Sequence, residues 1–377
     1  MQTMAIASLS PSALPRPATN RVFYLDTLRI VLTILVIVHH VGQAYGPTGG
    51  YWPVQEAVRA PVLGPFMHVN RSFFMSLFFM ISGYLMVSAY DRHGFGAFMR
   101  NRFVRLGVPV VALAALGLAF RIFIFGEHMP RCDDIFNVEH LWYVEHLLLF
   151  SVVYAIWRKL RESARGYAPQ LAQKADRPAP GLPITFAALL LVALACGIVR
   201  IWSPVDRWMN LLGFFRVAFA DVPRDIAFFI FGSMAFHRGW FENFPTRRGL
   251  TWLATGVLAG IAWYAWILIP HGRLGAAAFA ISHLVWEELV CFGMCIGLLV
   301  LFRQVANFQG RFGKLLAANQ YSAYFWQLFF IIPIQTAFLA LPLGPFIKFV
   351  AVTALSVTLI FSWSWLMRRI PAVRAVL

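Results

Sequence analysis

The chain has 377 residues, of which 60% are hydrophobic and only 13% are charged, and its mean hydropathy is +0.68. Soluble domains are about half apolar and about one quarter charged, so this composition excludes an ordinary soluble protein and indicates an integral membrane protein whose main partner is the lipid bilayer. The formal net charge is +16. No basic stripe with interleaved aromatic residues accompanies that charge, so no nucleic acid partner is expected.

Apolar runs long enough to cross a hydrocarbon core of about 30 Å recur along the whole chain. They predict an all-α, polytopic membrane protein with about ten transmembrane helices. The predicted spans are 23–45, 71–90, 106–126, 139–157, 183–202, 225–240, 250–269, 276–302, 319–340 and 345–367. The sixth span is short and has Arg224 and Asp225 at its start, which favours an earlier beginning or a partly re-entrant path.

The basic residues predict the orientation of these helices. Of the 32 Lys and Arg residues, 21 lie in one alternating set of connections and tails. Because Lys and Arg are retained on the cytoplasmic side, both termini are expected to be cytoplasmic. The predicted organisation is a cytoplasmic tail at 1–20, a membrane domain at 21–370 and a second cytoplasmic tail at 371–377.

The first span, LDTLRIVLTILVIVHH at 25–40, carries ionisable groups at both ends. The eleven positions from Arg29 to His40 amount to about 20° beyond three helical turns and about 16 Å of rise, so the two side chains share one face. Asp26 lies near the same face, whereas His39 is rotated away by about 100°. Ionisable groups at membrane depth usually mark a functional site, and histidine is suited to act as a general base near neutral pH.

The connection after the second span is basic. It turns through Gly94 and Gly96 and continues into Arg102 and Arg105. On a helix these two arginines are i,i+3 neighbours, so they are able to grip one multivalent anion. The alternative is an anchor that only fixes the orientation of the helix.

Two further groups of ionisable residues lie in predicted spans. HLWYVEHLLLFS at 140–151 contains Glu145 between two histidines, and SHLVWEELVC at 282–291 contains Glu287 and Glu288. Carboxylates inside apolar runs require partners. Three of the four cysteines lie in predicted spans, so no disulfide framework is expected, and buried cysteine is commonly an apolar filler, so no metal site is expected.

Segments in a fixed order carry a resemblance to a known family. They are LDTLR at 25–29 followed by His40, FFMISGYL at 78–85, RFVR at 102–105 followed by Pro109, HLWYVEHLLLFS at 140–151, and YSAYFWQ at 321–327. Together they resemble transmembrane acyltransferase family 3, which includes glucan succinyltransferases and modifiers of lipopolysaccharide, peptidoglycan and antibiotics. Gln327 stands where many members carry His, so no proton-transfer role is assigned to it.

The resemblance implies a membrane-bound O-acyltransferase of the cell inner membrane. Such an enzyme moves an acetyl or succinyl group from cytosolic acyl-CoA, its co-substrate, to a hydroxyl of an extracytoplasmic carbohydrate. His40 is then the expected general base, and Arg29, Arg102 and Arg105 are expected to hold the CoA phosphates. The rival interpretation is a secondary transporter of a sugar or an acylated metabolite, although no paired halves with interrupted helices are found.

Several alternatives remain open within this prediction. A carboxylate of Asp26, Glu145 or Glu287 is expected to support His40, and the sequence does not select among the three. Asp26 lies about 20 Å from His40 along the same helix, which favours pairing with Arg29. Direct transfer and a covalent acyl-enzyme relay, the acyl group, the acceptor and the oligomeric state also stay open.

Overall fold

The structure of the chain is a computed structural model that describes residues 22–48, 52–125, 139–165, 177–205, 207–212, 214–267, 275–307 and 309–377. The expected N-terminal tail at 1–20 lies outside the described residues. The α-helices, numbered α1 to α12 in chain order, are Phe23–Tyr45, Leu63–Arg102, Val108–Phe125, Trp142–Arg165, Leu182–Arg200, Val222–Arg238, Trp240–Asn243, Thr246–Ile267, Ala276–Val305, Arg311–Leu339, Pro345–Met367 and Pro371–Val376.

The helices confirm the all-α membrane fold. Each of the ten predicted spans overlaps one long helix. Among the described residues, six stretches are long and apolar enough to cross a membrane by length and composition: Phe23–Tyr45, Leu63–Ala119, Leu182–Arg200, Ala277–Val305, Arg311–Leu339 and Pro345–Met367. The sixth predicted span is α6, which has 17 residues and begins at Val222, before its expected start. Ten long helices thus correspond to the ten predicted spans, but only six described stretches meet the criteria of length and hydropathy for crossing a membrane.

A turn interrupts the long second helix at the predicted position. Gly94 in α2 adopts φ 68° and ψ 173°, which an L-residue with a side chain rarely adopts, so glycine allows the helix to kink there. The chain continues from α2 into a π-helical turn at Phe103–Gly107 before α3. Arg102 and Arg105 thus lie on the last turn of α2 and in the π-helical turn. π-Helical turns occur frequently at functional sites.

Short elements complete the fold. One 3₁₀ turn at Glu139–Leu141 precedes α4, and another at Phe219–Asp221 precedes α6. Strands β1 (Met209–Leu211) and β2 (Phe215–Val217) form an antiparallel hairpin between α5 and α6. The C-terminal segment that was expected to be a tail forms the short helix α12, and it packs against the π-helical turn.

Helix α1 lies inside the bundle and packs against α2, α9, α10 and α11. Helix α2 also packs closely against α6. The Cβ of an alanine at Gly83 would overlap the carbonyl of Phe229, and one at Gly232 would overlap the carbonyl of Met80. Small residues allow such close approach between membrane helices, where packing drives association. The backbones of α2 and α6 are therefore in direct contact at these two glycines.

We expect Gly83→Ala to destabilise the folded protein by about 1–3 kcal/mol, because the added methyl group forces α2 away from α6. Gly117→Ala is the matched control, since nothing lies within 4 Å of the position that its Cβ would take. Thermal unfolding of both variants in detergent measures the difference. Equal midpoints for the two variants would contradict the close helix contact.

Candidate active site

His40 lies on α1 with one ring nitrogen bound to α10. Its Nδ1 is 3.0 Å from Oε1 of Gln327, and the Gln327 amide nitrogen donates a hydrogen bond of 3.1 Å to the carbonyl of Tyr324. Because that donation fixes which end of the amide is the oxygen, Nδ1 of His40 must carry the proton. A neutral imidazole has one proton, so Nε2 keeps its lone pair. Within the described chain, Nε2 has no hydrogen-bond partner, and the residue is partly exposed.

An aromatic ring from the loop after α1 covers His40. Trp52 stacks on it with ring centroids 5.5 Å apart and an interplanar angle of 14°. The indole N–H of Trp52 donates a hydrogen bond of 2.7 Å to Oε1 of Gln335 on α10. Arg59 from the same loop donates to the carbonyls of Gln43 and Gly46 at the end of α1. Trp52 and Arg59 therefore attach the described part of this loop to α1 and α10, and the stacked Trp52 ring restricts the orientation of the His40 ring.

His39 has a different environment, as the helical rotation predicts. It is 8% exposed, and both of its ring nitrogens contact amide side chains. Asn70 lies 3.1 Å from Nδ1, and Gln43 lies 3.1 Å from Nε2. Both nitrogens are engaged, so His39 is a packing residue and lacks the unused lone pair of His40.

His140 is the main residue that sequence reasoning left without a role. It is 5% exposed, and its ring centroid lies 6.3 Å from that of His40 with an interplanar angle of 76°. Its Nε2 donates to the carbonyls of Tyr324 and Phe325 at 2.9 and 3.1 Å. His140 is the first residue of a segment that carries the family resemblance, so the sequence did mark it as a candidate. Its contact with α10 was not predictable, because 184 residues separate the two partners.

Hydroxyl groups connect the histidines to the basic end of α2. Tyr143 on α4 packs 6.1 Å from Tyr324 between ring centroids, and its hydroxyl lies 2.7 Å from that of Ser82. Arg29 and Arg102 both act electrostatically on the Tyr143 hydroxyl. Tyr143 therefore lies beside Tyr324, whose ring and carbonyl both contact His140.

Within the part of the chain that the structure describes, three arginines near Tyr143 have no negative partner. No described carboxylate forms an ion pair with Arg29, Arg102 or Arg105. Arg102 lies inside the apolar stretch Leu63–Ala119, close enough to Arg105 and Arg29 for their charges to act on its guanidinium. Cations that are held together without counterions form a site for an anion.

The carboxylates that were considered as supports for His40 have other contacts. Glu145 is 5% exposed, and its Oε2 accepts a hydrogen bond of 3.0 Å from the backbone N–H of Arg216 on β2. It therefore anchors the hairpin. Asp26 lies on the first turn of α1, and Thr27 beside it receives a hydrogen bond of 3.3 Å from Gln309.

Glu287 belongs to a buried ionic network. Its two oxygens pair with Nη1 of Arg200 and Nη1 of Arg224, each at 2.8 Å. Asp221 pairs with the same two arginines at 3.2 and 2.9 Å, and Glu288 lies 3.4 Å from Arg224. The network joins α5, α6 and α9. Within the described residues, the side chain that is hydrogen-bonded to His40 is that of Gln327, and none of the three candidate carboxylates bonds to it.

No cluster of three or more His, Cys, Asp or Glu side chains in the described part of the chain is arranged to hold a metal ion. Cys196, Cys291 and Cys295 are free and buried.

Comparisons with known proteins place the chain among acyltransferases. A family model described as an acyltransferase domain matches residues 22–365. Glucans biosynthesis protein C of Salmonella schwarzengrund (strain CVM19633) is 25% identical over 325 residues, which cover 79% of this chain and 78% of that protein. The protein of the same name from Escherichia coli O6:K15:H31 (strain 536 / UPEC) is 24% identical over 245 residues, 59% of this chain and 60% of that protein. No solved structure matches the chain.

We expect Glu287→Gln to destabilise the fold by about 3–5 kcal/mol, because two buried arginines lose part of their counter-charge. Glu145→Gln is the matched comparison, since its amide oxygen still accepts from the Arg216 N–H, and it should cost about 1 kcal/mol or less. Thermal unfolding in detergent distinguishes the two variants. A Glu287→Gln protein as stable as the wild type would contradict the structural role of the network.

Proposed function

Because this chain belongs to the family of membrane acyltransferases whose domain model spans residues 22–365, we propose that it transfers an acetyl or succinyl group from cytosolic acyl-CoA to a hydroxyl of an extracytoplasmic carbohydrate. Family membership favours acyl transfer over the transporter alternative. The name of the relatives, glucans biosynthesis protein C, supports a glucose-containing acceptor. We also propose that the membrane is the inner membrane and that both termini are cytoplasmic, in keeping with the distribution of basic residues.

One observation carries the proposal: no described residue forms a hydrogen bond with Nε2 of His40, which lies on a helix long and apolar enough to cross a membrane. Its proton is held on the opposite nitrogen by Gln327, so the ring is poised as an acceptor and not as a donor. Stacking against Trp52 fixes the ring plane. A fixed, neutral imidazole with a free lone pair is what a general base requires.

In the proposed reaction the acceptor hydroxyl gives its proton to Nε2 of His40 while its oxygen attacks the carbonyl carbon of the thioester. A new C–O ester bond forms, and the C–S bond to CoA breaks. The leaving thiolate then takes the proton from the imidazolium, which releases CoA as a free thiol and restores neutral His40. Gln327 keeps Nδ1–H in place throughout, as an orienting acceptor that carries no charge.

The donor is proposed to bind at the arginines. CoA carries phosphate groups, and Arg102, Arg105 and Arg29 offer guanidinium forks that match phosphate geometry. The hydroxyls of Tyr143 and Ser82 line the way from these arginines toward the histidines, which supports a route for the pantetheine arm. The thioester would then reach His40 from one side and the sugar from the other.

The carboxylates have supporting roles in this proposal. We propose that Glu145 acts by holding the hairpin through Arg216, and that Glu287 acts by neutralising Arg200 and Arg224. Asp26 is proposed to act near Arg29 at the donor end of α1. Proton transfer is assigned to His40 alone.

We expect His40→Ala to lower kcat by about 10²–10⁴-fold, because the hydroxyl loses the group that accepts its proton. The measurement is release of free CoA thiol from acetyl-CoA and succinyl-CoA by detergent-purified protein with a panel of sugars. His39→Ala is the internal control and should retain much of the activity if it remains folded. Equal activity of wild type and His40→Ala would refute the assignment of the base.

We expect Arg102→Ala and Arg105→Ala to raise KM for acyl-CoA by about tenfold or more, because a charge-assisted hydrogen bond to phosphate is lost. Added salt should weaken binding to the wild type more than to the variants. Arg247→Ala, which removes an exposed arginine elsewhere in the basic connections, is the control. If Arg247→Ala raised KM equally, a general charge effect would replace the specific site.

A further inference from the structure

Of the two ring nitrogens of His140, only Nε2 forms hydrogen bonds to residues that the structure describes. Its Nε2 faces the carbonyl oxygens of Tyr324 and Phe325, which are only able to accept, so Nε2 carries the proton. The Tyr324 hydroxyl in turn donates to the backbone carbonyl of His140. The ring is therefore locked, and its Nδ1 must hold a lone pair in the neutral form.

The lone pair on Nδ1 of His140 is buried and has no partner among the described residues. The atom is shielded from solvent, and no described residue donates a hydrogen bond to it. Buried acceptors are almost always paired, since leaving one unpaired costs free energy. An orphaned acceptor beside a candidate active site points to a hydrogen bond that a substrate supplies.

His40 and His140 are arranged in the same way. Each ring donates a hydrogen bond to α10. His40 donates to the side chain of Gln327, and His140 donates to the carbonyls of Tyr324 and Phe325. Each is left with one lone pair that the described residues do not use, and the ring centroids are 6.3 Å apart. The pair thus offers two neutral acceptors and no donor.

Two acceptors require two donors. One hydroxyl has one proton, so it satisfies only one of the two nitrogens. We propose that the acceptor is a polyol with two neighbouring hydroxyls, as on a sugar ring: the reacting hydroxyl donates to Nε2 of His40, and its neighbour donates to Nδ1 of His140. This inference rests on the proposed function and adds the substrate feature that selects a sugar over water or a simple alcohol. His140 is then a substrate-binding and specificity-determining residue.

An N–H of the pantetheine arm is the other donor that would satisfy His140. The two sources differ in kinetics. If His140 binds the sugar, a substitution of His140 changes KM for the acceptor. If it binds pantetheine, the substitution changes KM for acyl-CoA.

The first arm of the experiment uses wild-type protein only. Acyl transfer is measured from acetyl-CoA and succinyl-CoA to methyl glucoside, to each of its monodeoxy analogues, and to a monohydric alcohol. We expect the analogue that lacks the hydroxyl next to the acylated position to lose roughly tenfold or more in kcat/KM, and the monohydric alcohol to be poorer still, because His140 is then left unpaired.

The second arm uses His140→Gln, whose amide offers both a donor and an acceptor, and His140→Leu, which offers neither. We expect His140→Leu to raise KM for methyl glucoside roughly tenfold, to leave KM for acyl-CoA unchanged, and to treat the parent sugar and the sensitive deoxy analogue alike. His140→Gln should recover part of the loss. A merely structural role would lower activity on all acceptors in the same proportion.

Each result has a defined consequence. Equal use of methyl glucoside and all its deoxy analogues by the wild type overturns the inference while leaving acyl transfer by His40 intact. A change in KM for acyl-CoA alone overturns it in favour of pantetheine binding. A wild type that acylates no sugar contradicts the proposed function and this inference together, since both require a sugar hydroxyl.

Discussion

The hydrogen bond from Nδ1 of His40 to Gln327 joins α1 to α10 and determines what the site offers to a substrate. Because a neutral amide oxygen accepts this hydrogen bond, the imidazole is oriented without a buried charge, and its second nitrogen remains a hydrogen-bond acceptor. The same stretch of α10 supplies the carbonyls that hold His140. One turn of helix therefore sets the tautomers of both rings, and Trp52, which is bound to Gln335 on that helix, completes the alignment.

Charge is distributed unequally along the polar interior. In the network around Glu287, buried arginines and carboxylates form ion pairs with one another, as buried charges in a membrane protein usually do. At Arg29, Arg102 and Arg105, no described carboxylate balances the cations. The hydrogen-bond partners of His40 and His140 on α10 are an uncharged amide and two carbonyls. The interior thus combines an anion-attracting end with a neutral, hydrogen-bonding centre, which suits a phosphate-bearing donor and an uncharged hydroxyl.

The local features were predictable from the sequence, and the long-range ones were not. Helical periodicity placed Arg29 and His40 on one face and separated His39, and the glycines after the second span predicted its turn. The sequence did not predict that Gln327 is the partner of His40, because 287 residues separate the two. In addition, a Gln where many family members carry His suggested a lost proton-transfer role and not a role in orienting the imidazole. The anchoring role of Glu145 depends on the short hairpin at 209–217, which apolar periodicity does not reveal.

Sealed proteoliposomes test whether the protein transfers an acyl group from a donor on one side of the membrane to a sugar on the other. Labelled acetyl-CoA or succinyl-CoA would be enclosed in the lumen, methyl glucoside supplied only outside, and labelled ester measured in the outer solution, with His40→Ala vesicles as the control. We expect ester to accumulate outside the wild-type vesicles and not outside the His40→Ala vesicles. Ester formed only after the vesicles are opened, so that donor and acceptor share one side, would contradict this expectation.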